Sequence, residues 1–239
     1  NTEIYTLSLH DALPIYMKIR YLGHSCVEII GKHHILIDPD FTRPPLPDVD
    51  FICVSHAHKD HIGKITSVPG GLVLASSEVC EIAHKMGILT SRLKPVKAGE
   101  QIENIKILPG FSVVRDPIYI AVSLLFRFRL PDPGGTPLSF HIQDEADILH
   151  IGDAHKFPIE LQSDILCLPW RNSPIQPKKY KSILINMAKQ TAAPYILPIH
   201  YDLPGTEADP AEISQQIHSV ILNGDQWHAF KEKMEVEEF

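Results

Sequence analysis

The run Asp50-Phe51-Ile52-Cys53-Val54-Ser55, followed at once by His56-Ala57-His58-Lys59-Asp60-His61, decides how this chain is read. Its first half is apolar and β-prone, which predicts a short buried strand. Its second half crowds three imidazoles and a carboxylate into six positions. Ligands placed where a strand ends project from a rigid element into a loop, where a metal site needs them. His56 and His58 are two apart and can reach one cation from a single loop. Asp60 and His61 fall on the other side of that loop and can serve a second. Nitrogen and oxygen ligands without thiolate suit zinc, manganese or iron, and do not choose among them.

Upstream, Lys18-Ile19-Arg20-Tyr21-Leu22, Cys26-Val27-Glu28-Ile29-Ile30 and His34-Ile35-Leu36-Ile37-Asp38 are punctuated by Gly23 and Gly31-Lys32, the pattern of an antiparallel meander. Downstream, His61-Ile62-Gly63-Lys64-Ile65 opens a short helix and Gly71-Leu72-Val73-Leu74-Ala75 is a strand. Residues 77–86 then read as a helix capped by Ser76 or Ser77 and stopped by Gly87. A second set of strands runs through 105–108, 138–142 and 147–151. The spacing over 179–190 puts Ile183, Leu184, Met187 and Ala188 on one helical face. A strand over 195–199 ends at His200, a last helix covers about 210–221, and a terminal strand lies near 228–236. Two strand-rich halves, each followed by helices, imply two packed sheets with helices outside, in one domain over 17–239. The proline-rich tracts 43–47 and 131–137 read as loops, and neither repeats nor low-complexity segments occur.

Residues 1–16 stand apart. Tyr5-Thr6-Leu7-Ser8-Leu9-His10-Asp11-Ala12-Leu13-Pro14-Ile15 resembles one reading frame of a common sequencing adapter, so the native protein is expected to begin near Met17. A signal peptide would need a basic start and a longer apolar core. Without that segment, which holds Glu3 and Asp11, the formal charge moves from −7 to −5. So mild an acidity argues against a general nucleic-acid surface. Cys26, Cys53, Cys80 and Cys167 are widely spaced in apolar contexts, with no CxxC pair, which suggests reduced, buried thiols. No apolar run reaches membrane-span length. The expectation is a cytoplasmic protein with a small-molecule substrate and neither nucleic acid nor membrane as partner.

Two further ligands suggest themselves at strand ends. Asp153 follows Ile148-Leu149-His150-Ile151-Gly152 and is the leading carboxylate to bridge two ions, and His200 closes its strand before Tyr201-Asp202. At this point the chain resembles the metallo-β-lactamase-fold superfamily, closest to the cytoplasmic metal-dependent hydrolases that include the bacterial ascorbate-phosphate lactonase. The landmarks are Leu22-Gly23-His24-Ser25, Ile35-Leu36-Ile37-Asp38-Pro39, the HxHxDH loop, Leu149-His150-Ile151-Gly152-Asp153 and Pro198-Ile199-His200-Tyr201. The resemblance implies a four-layer αββα sandwich of two mixed β-sheets with the metals at one edge. It implies His56, His58, Asp60, His61, Asp153 and His200 as ligands of two divalent ions, zinc or manganese with iron as an alternative, and Asp38 as a support behind them. Relatives in this family often self-associate, but no surface pattern here shows it.

One departure concerns the first ion. The family supplies it a further His before the Gly-Asp motif, often within His-Pro-x-Gly-x-Gly-Val-Gly-Tyr-Val-Ile. No His lies between His84 and His141 here. Asp132-Pro133-Gly134-Gly135-Thr136-Pro137-Leu138-Ser139-Phe140-His141-Ile142 aligns without a gap and puts Asp132 in that place. Either Asp132 is the replacement ligand, favouring manganese or iron, or it is a loop Asp serving turn geometry before Pro133.

Weaker candidates complete the set. His24 lies beside the pocket or serves only its turn, and His155 is a candidate proton donor to a leaving group. Trp170, Arg171 and Tyr201 follow strand ends and either line the pocket or pack. His33-His34 are expected to be exposed at a hairpin, and His84, His218 and His228 to sit on surfaces. The expected chemistry is hydrolysis, in which a hydroxide shared by two cations, oriented by Asp60, attacks a small anionic ester, a lactone before a phosphodiester. The alternative from another class is a degenerate metal-binding protein with an impaired first site.

Overall fold

The structure is a computed structural model and describes residues 16–111, 120–121, 124–125, 132, 134–154, 161–172 and 177–236. The non-native extension expected over 1–16 therefore falls outside the described residues except for Tyr16.

Alternating side chains build the first sheet. Strands β1 (Met17–Gly23), β2 (Cys26–Ile30) and β3 (His34–Ile37) form the antiparallel meander, with Ile19 opposite Ile29 and Ile29 opposite Ile35. Strands β4 (Phe51–Cys53), β5 (Leu72–Ala75) and β6 (Leu93–Pro95) then add in parallel to β3. The second sheet repeats this plan. Strands β7 (Gln101–Ile102), β8 (Ile105–Pro109), β9 (Leu138–Ile142) and β10 (Ile148–His150) are antiparallel. Strands β11 (Ile165–Pro169), β12 (Tyr195–Ile199) and β13 (Val220–Ile221) follow in parallel to β10. The hairpin β14 (His228–Lys231) and β15 (Met234–Val236) returns to the first sheet beside β1.

Side-chain alternation separates three apolar layers. Ile35, Ile37 and Cys53 of one sheet meet Ile148, Ile165, Cys167, Leu197 and Ile199 of the other in a core between them. The opposite faces, Leu36 and Ile52, pack with Val79, Cys80 and Ala83 of α2 (Ser77–Lys85). Leu149, Leu166 and Ile196 pack with Leu184, Met187 and Ala188 of α3 (Pro177–Thr191). The molecule is thus a four-layer αββα sandwich of two mixed sheets. All four cysteines are buried and free. No described helix is long and apolar enough to cross a membrane.

The helix expected over 210–221 is a correction: only α4 (Ala211–Ser214) forms, and Val220 and Ile221 become β13. Ile213, Ile217 and Ile221 imitate a helical face, but the N–H groups of Val220 and Leu222 find carbonyls of Pro194 and Ile196. The short helix expected from His61 begins earlier, as α1 (Lys59–Ile62), because the N–H groups of His61 and Ile62 both turn back to the His58 carbonyl. His228 is buried rather than on the surface, held between Glu235 at 2.6 Å and the Asn223 carbonyl at 2.8 Å. His33 and His34 are half-buried, and His34 binds the buried Glu28 at 2.9 Å.

Candidate metal centre

Parallel strands leave a sheet at the same end, so the loops after them converge. Asp38 directly follows β3, and the His56–His61 segment follows β4. Asp153, Arg171 and His200 follow β10, β11 and β12 in the other sheet. The two groups meet where the sheets face each other: Asp153 Oδ1 lies 3.4 Å from His61 Nε2 and 3.1 Å from His200 Nε2.

His61 is oriented from behind. Its Nδ1–H donates to Asp38 Oδ2 at 2.7 Å, and the same oxygen accepts the Ser55 hydroxyl at 2.7 Å. Asp38 Oδ1 takes the Ser55 N–H at 2.7 Å. Burial opposes ionisation of Asp38, but the charge and hydrogen bond of His61 hold its pKa at about 2. A carboxylate on Nδ1 fixes the ring orientation that turns Nε2 into the site, where a bound cation would take the place of its proton. For His61, burial favours the neutral ring, yet Asp38 and Asp153 raise its pKa well above the ordinary value. Asp60 stands at the rim, half-buried, with Oδ2 3.8 Å from His61 Nε2 and 3.9 Å from His200 Nδ1.

The His56 side is arranged differently. His56 Nδ1 lies 3.1 Å from the Ser55 hydroxyl, and its Nε2 shares a 2.9 Å hydrogen bond with His58 Nδ1. His58 Nε2 donates to the main-chain carbonyl of Asp132 at 2.7 Å. Burial, with the charge of His61 next, pushes the His56 pKa well below its ordinary value. Asp132 is exposed, and its carboxylate accepts the Gly134 N–H at 3.0 Å, so it is the carbonyl and not the carboxylate that faces the His pair. Gly134 closes the loop over the pair by accepting the Ala57 N–H at 2.8 Å. Its φ is +63°, and a Cβ there would sit 3.0 Å from His58 Cδ2, so both the backbone and the close approach to His58 favour glycine.

Arg171 is the residue whose role the sequence left least defined. Its Nη2 donates to Asp153 Oδ2 at 3.1 Å and its Nη1 lies 4.0 Å from Asp60 Oδ2. Burial would raise the pKa of Asp153, but Arg171, then His200 and His61, hold it well below the usual carboxylate range. The one clue was position: Arg171 follows a strand end, as the ligands do. Trp170 beside it is packing, fully buried against α3 with Nε1–H on the Asp209 carbonyl.

His24 lies in the β1–β2 turn at φ +51°. Its carbonyl accepts the His200 N–H at 2.5 Å and the Tyr21 hydroxyl at 2.7 Å, while its Nδ1 meets Asp40 at 2.8 Å. Asp202 accepts the His24 N–H and shares the single Tyr21 hydroxyl proton with the His24 carbonyl, which ties this turn to the loop after β12. His24 therefore props His200 through its backbone. Tyr201 stacks on Tyr21 with ring centroids 5.0 Å apart. His155 lies outside the described residues.

The donor atoms fit a divalent cation. Ligand atoms of Asp60, His61 and His200 lie within 4.8 Å of one another, as do those of His56, His61 and Asp153. Among the described residues, His61 Nε2, both ring nitrogens of His200 and Asp153 Oδ1 are buried without a hydrogen-bond partner. Leaving such atoms unsatisfied costs on the order of 1–3 kcal/mol each, and a cation would take up His61 Nε2, Asp153 Oδ1 and one nitrogen of His200.

Comparison with known proteins agrees with this fold. The beta-lactamase superfamily domain model matches residues 18–200. The UPF0173 metal-dependent hydrolase of Nanoarchaeum equitans is 26% identical over 225 residues, spanning 88% of this chain and 98% of that protein. Its counterpart from Pyrococcus horikoshii is 25% identical over 220 residues, spanning 84% and 92%. Among solved structures, Igni18, a metallo hydrolase from Ignicoccus hospitalis, superposes with a TM-score of 0.68 at 18% identity, covering 90% of this chain and 99% of that one.

Proposed function

The chain belongs to the beta-lactamase superfamily domain family, and from that premise we propose that it is a metal-dependent hydrolase of small anionic esters, a lactone first and a phosphodiester second. The observation that carries this reading is the buried convergence of unpartnered atoms on His61, His200 and Asp153 beside Asp60. Relatives of similar length bear the name metal-dependent hydrolase, which supports the reaction class. The lactone rests on family resemblance alone.

Asp60, His61, Asp153 and His200 would hold one divalent cation, zinc, manganese or iron, with His56 and His58 across Asp153 from it. A cation so held supplies Lewis acidity, bringing the pKa of water towards neutrality and stabilising the developing oxyanion. The chain's own residues do the rest. Asp38 holds His61 in the correct orientation, and Asp60, the most exposed of the carboxylates here, accepts a hydrogen bond from the attacking water. Arg171 adds a fixed positive charge that suits an anionic substrate. His155 is the candidate to protonate the leaving group. Asp132 enters this reading as the turn residue of the loop over His58. We place the enzyme in the cytoplasm, acting on a small molecule.

The test is turnover of a lactone and of bis(p-nitrophenyl) phosphate by protein reconstituted with zinc, manganese or iron. Chelator-sensitive hydrolysis of either is the expected result. Its absence with all three metals would leave a metal-binding protein without catalysis.

A further inference from the structure

Asp153 offers its two oxygens to different sides of the centre, and those sides are unequally prepared. Oδ1 lies 3.1 Å from His200 Nε2 and 3.4 Å from His61 Nε2, contacts too poorly directed to be hydrogen bonds, so among the described residues these three atoms and His200 Nδ1 have no well-formed hydrogen bond to give up. Oδ2 faces His56 Nε2 across 3.7 Å, but it already accepts from Arg171 Nη2 at 3.1 Å. On that side every imidazole nitrogen is engaged as well. Ser55 takes His56 Nδ1, His58 takes His56 Nε2, and the Asp132 carbonyl takes His58 Nε2. His56 does lie close enough to His61 and Asp153 to join a common ion, yet doing so means giving up the bond to His58.

We propose that this centre is unequal: it holds one divalent cation tightly at Asp60, His61, Asp153 Oδ1 and His200, while Arg171 and the main-chain carbonyls of Asp132 and Gly134 hold the His56–His58 side against a second. The inference rests on the metal-dependent reading above and refines it. Arg171 is a positioning residue in this scheme. It ties up the oxygen that would otherwise reach across to His56. Asp132 contributes by a main-chain carbonyl, with its side chain bonded within the same turn to the Gly134 N–H.

Calorimetric titration of the metal-stripped full chain with zinc chloride, without substrate, tests this directly. Wild type is expected to take up one tight equivalent, and His58→Ala to keep it. Arg171→Met, which leaves every proposed ligand in place, is expected to strengthen the second equivalent by at least ~10-fold, the scale at which neighbours of ligands act. His200→Ala is expected to lose the tight equivalent, with circular dichroism confirming the fold; if that variant does not fold, the Arg171→Met and His58→Ala titrations decide. Two equivalents of similar affinity in wild type would overturn the proposal. So would loss of the tight equivalent in His58→Ala, or a second equivalent in Arg171→Met no stronger than in wild type. Because nothing is hydrolysed in the titration, its failure is separate from failure of the hydrolase reading.

Discussion

Asp38 shows how much one residue behind the site carries. It is fully buried, at φ +50°, and its two oxygens accept three hydrogen bonds, from the Ser55 N–H, the Ser55 hydroxyl and His61. In Asp38→Asn the amide nitrogen must face at least one of those donors, so either His61 or the loop loses its support. Zinc affinity measured against a chromophoric chelator is expected to fall by ~10–100-fold with the fold retained; unchanged affinity would remove Asp38 from this role. His150 is the complementary case. It is fully buried with Nε2 3.3 Å from the Ser25 carbonyl, and burial pushes its pKa down from 6.5 to about 4. The unfolded chain protonates this ring at the ordinary value. Between pH 6.5 and about 4 the unfolded state therefore binds more protons, and stability is lost as pH falls. This residue alone accounts for on the order of 3 kcal/mol across that window. Urea midpoints of the metal-stripped protein should drop through it, and His150→Gln should flatten the slope; a parallel slope in the variant would refute the assignment.

At the scale of elements, what the sequence disclosed depended on whether a signal was local. The HxHxDH loop was legible because ligand types at close spacing are rare and follow a recognisable strand. The meander of β1 to β3 was legible because apolar alternation and glycine punctuation are local too. Arg171 was not, because its partner Asp153 is 18 residues away and the pairing exists only because β10 lies beside β11, with His150 opposite Cys167. β11 itself shows no alternation, since Ile165-Leu166-Cys167-Leu168-Pro169 is buried on both faces. The Asp132 question turned on backbone direction, which residue spacing does not encode. The loop carrying Asp132 makes its own prediction. Gly134→Ala puts a Cβ at φ +63° and 3.0 Å from His58 Cδ2, so a loss of about 1–2 kcal/mol is expected from the backbone alone. Thermal and urea unfolding should register it while the tight zinc equivalent persists. A variant as stable as wild type would mean the loop tolerates a different path over His58.

For the molecule as a whole, the centre is a joint between the sheets. Asp60 and His61 come from the sheet of β3 and β4, and Asp153 and His200 from the sheet of β10 and β12, so no single sheet can assemble the tight position. The apolar layer between the sheets sets their separation, and the ligands inherit it. A cation bound across this joint favours the folded state, because Asp60 and His200 lie 140 positions apart (200 − 60) and only folding brings them together, whereas the unfolded chain keeps just the local His56–His61 cluster. Ligand linkage then sets the size of the effect: zinc at a thousand times its dissociation constant stabilises the fold by about 4 kcal/mol. For a protein of this size each kcal/mol moves the melting temperature by roughly 2–4 °C. Adding zinc to the metal-stripped chain should therefore raise the melting temperature by on the order of 10 °C. The whole unfolding transition should shift together, since both sheets are joined by the same contact. In His200→Ala the shift should vanish, while in His58→Ala it should remain. A zinc-bound protein that melts at the temperature of the metal-stripped one would show that the ligands do not bridge the two sheets in the way their positions require.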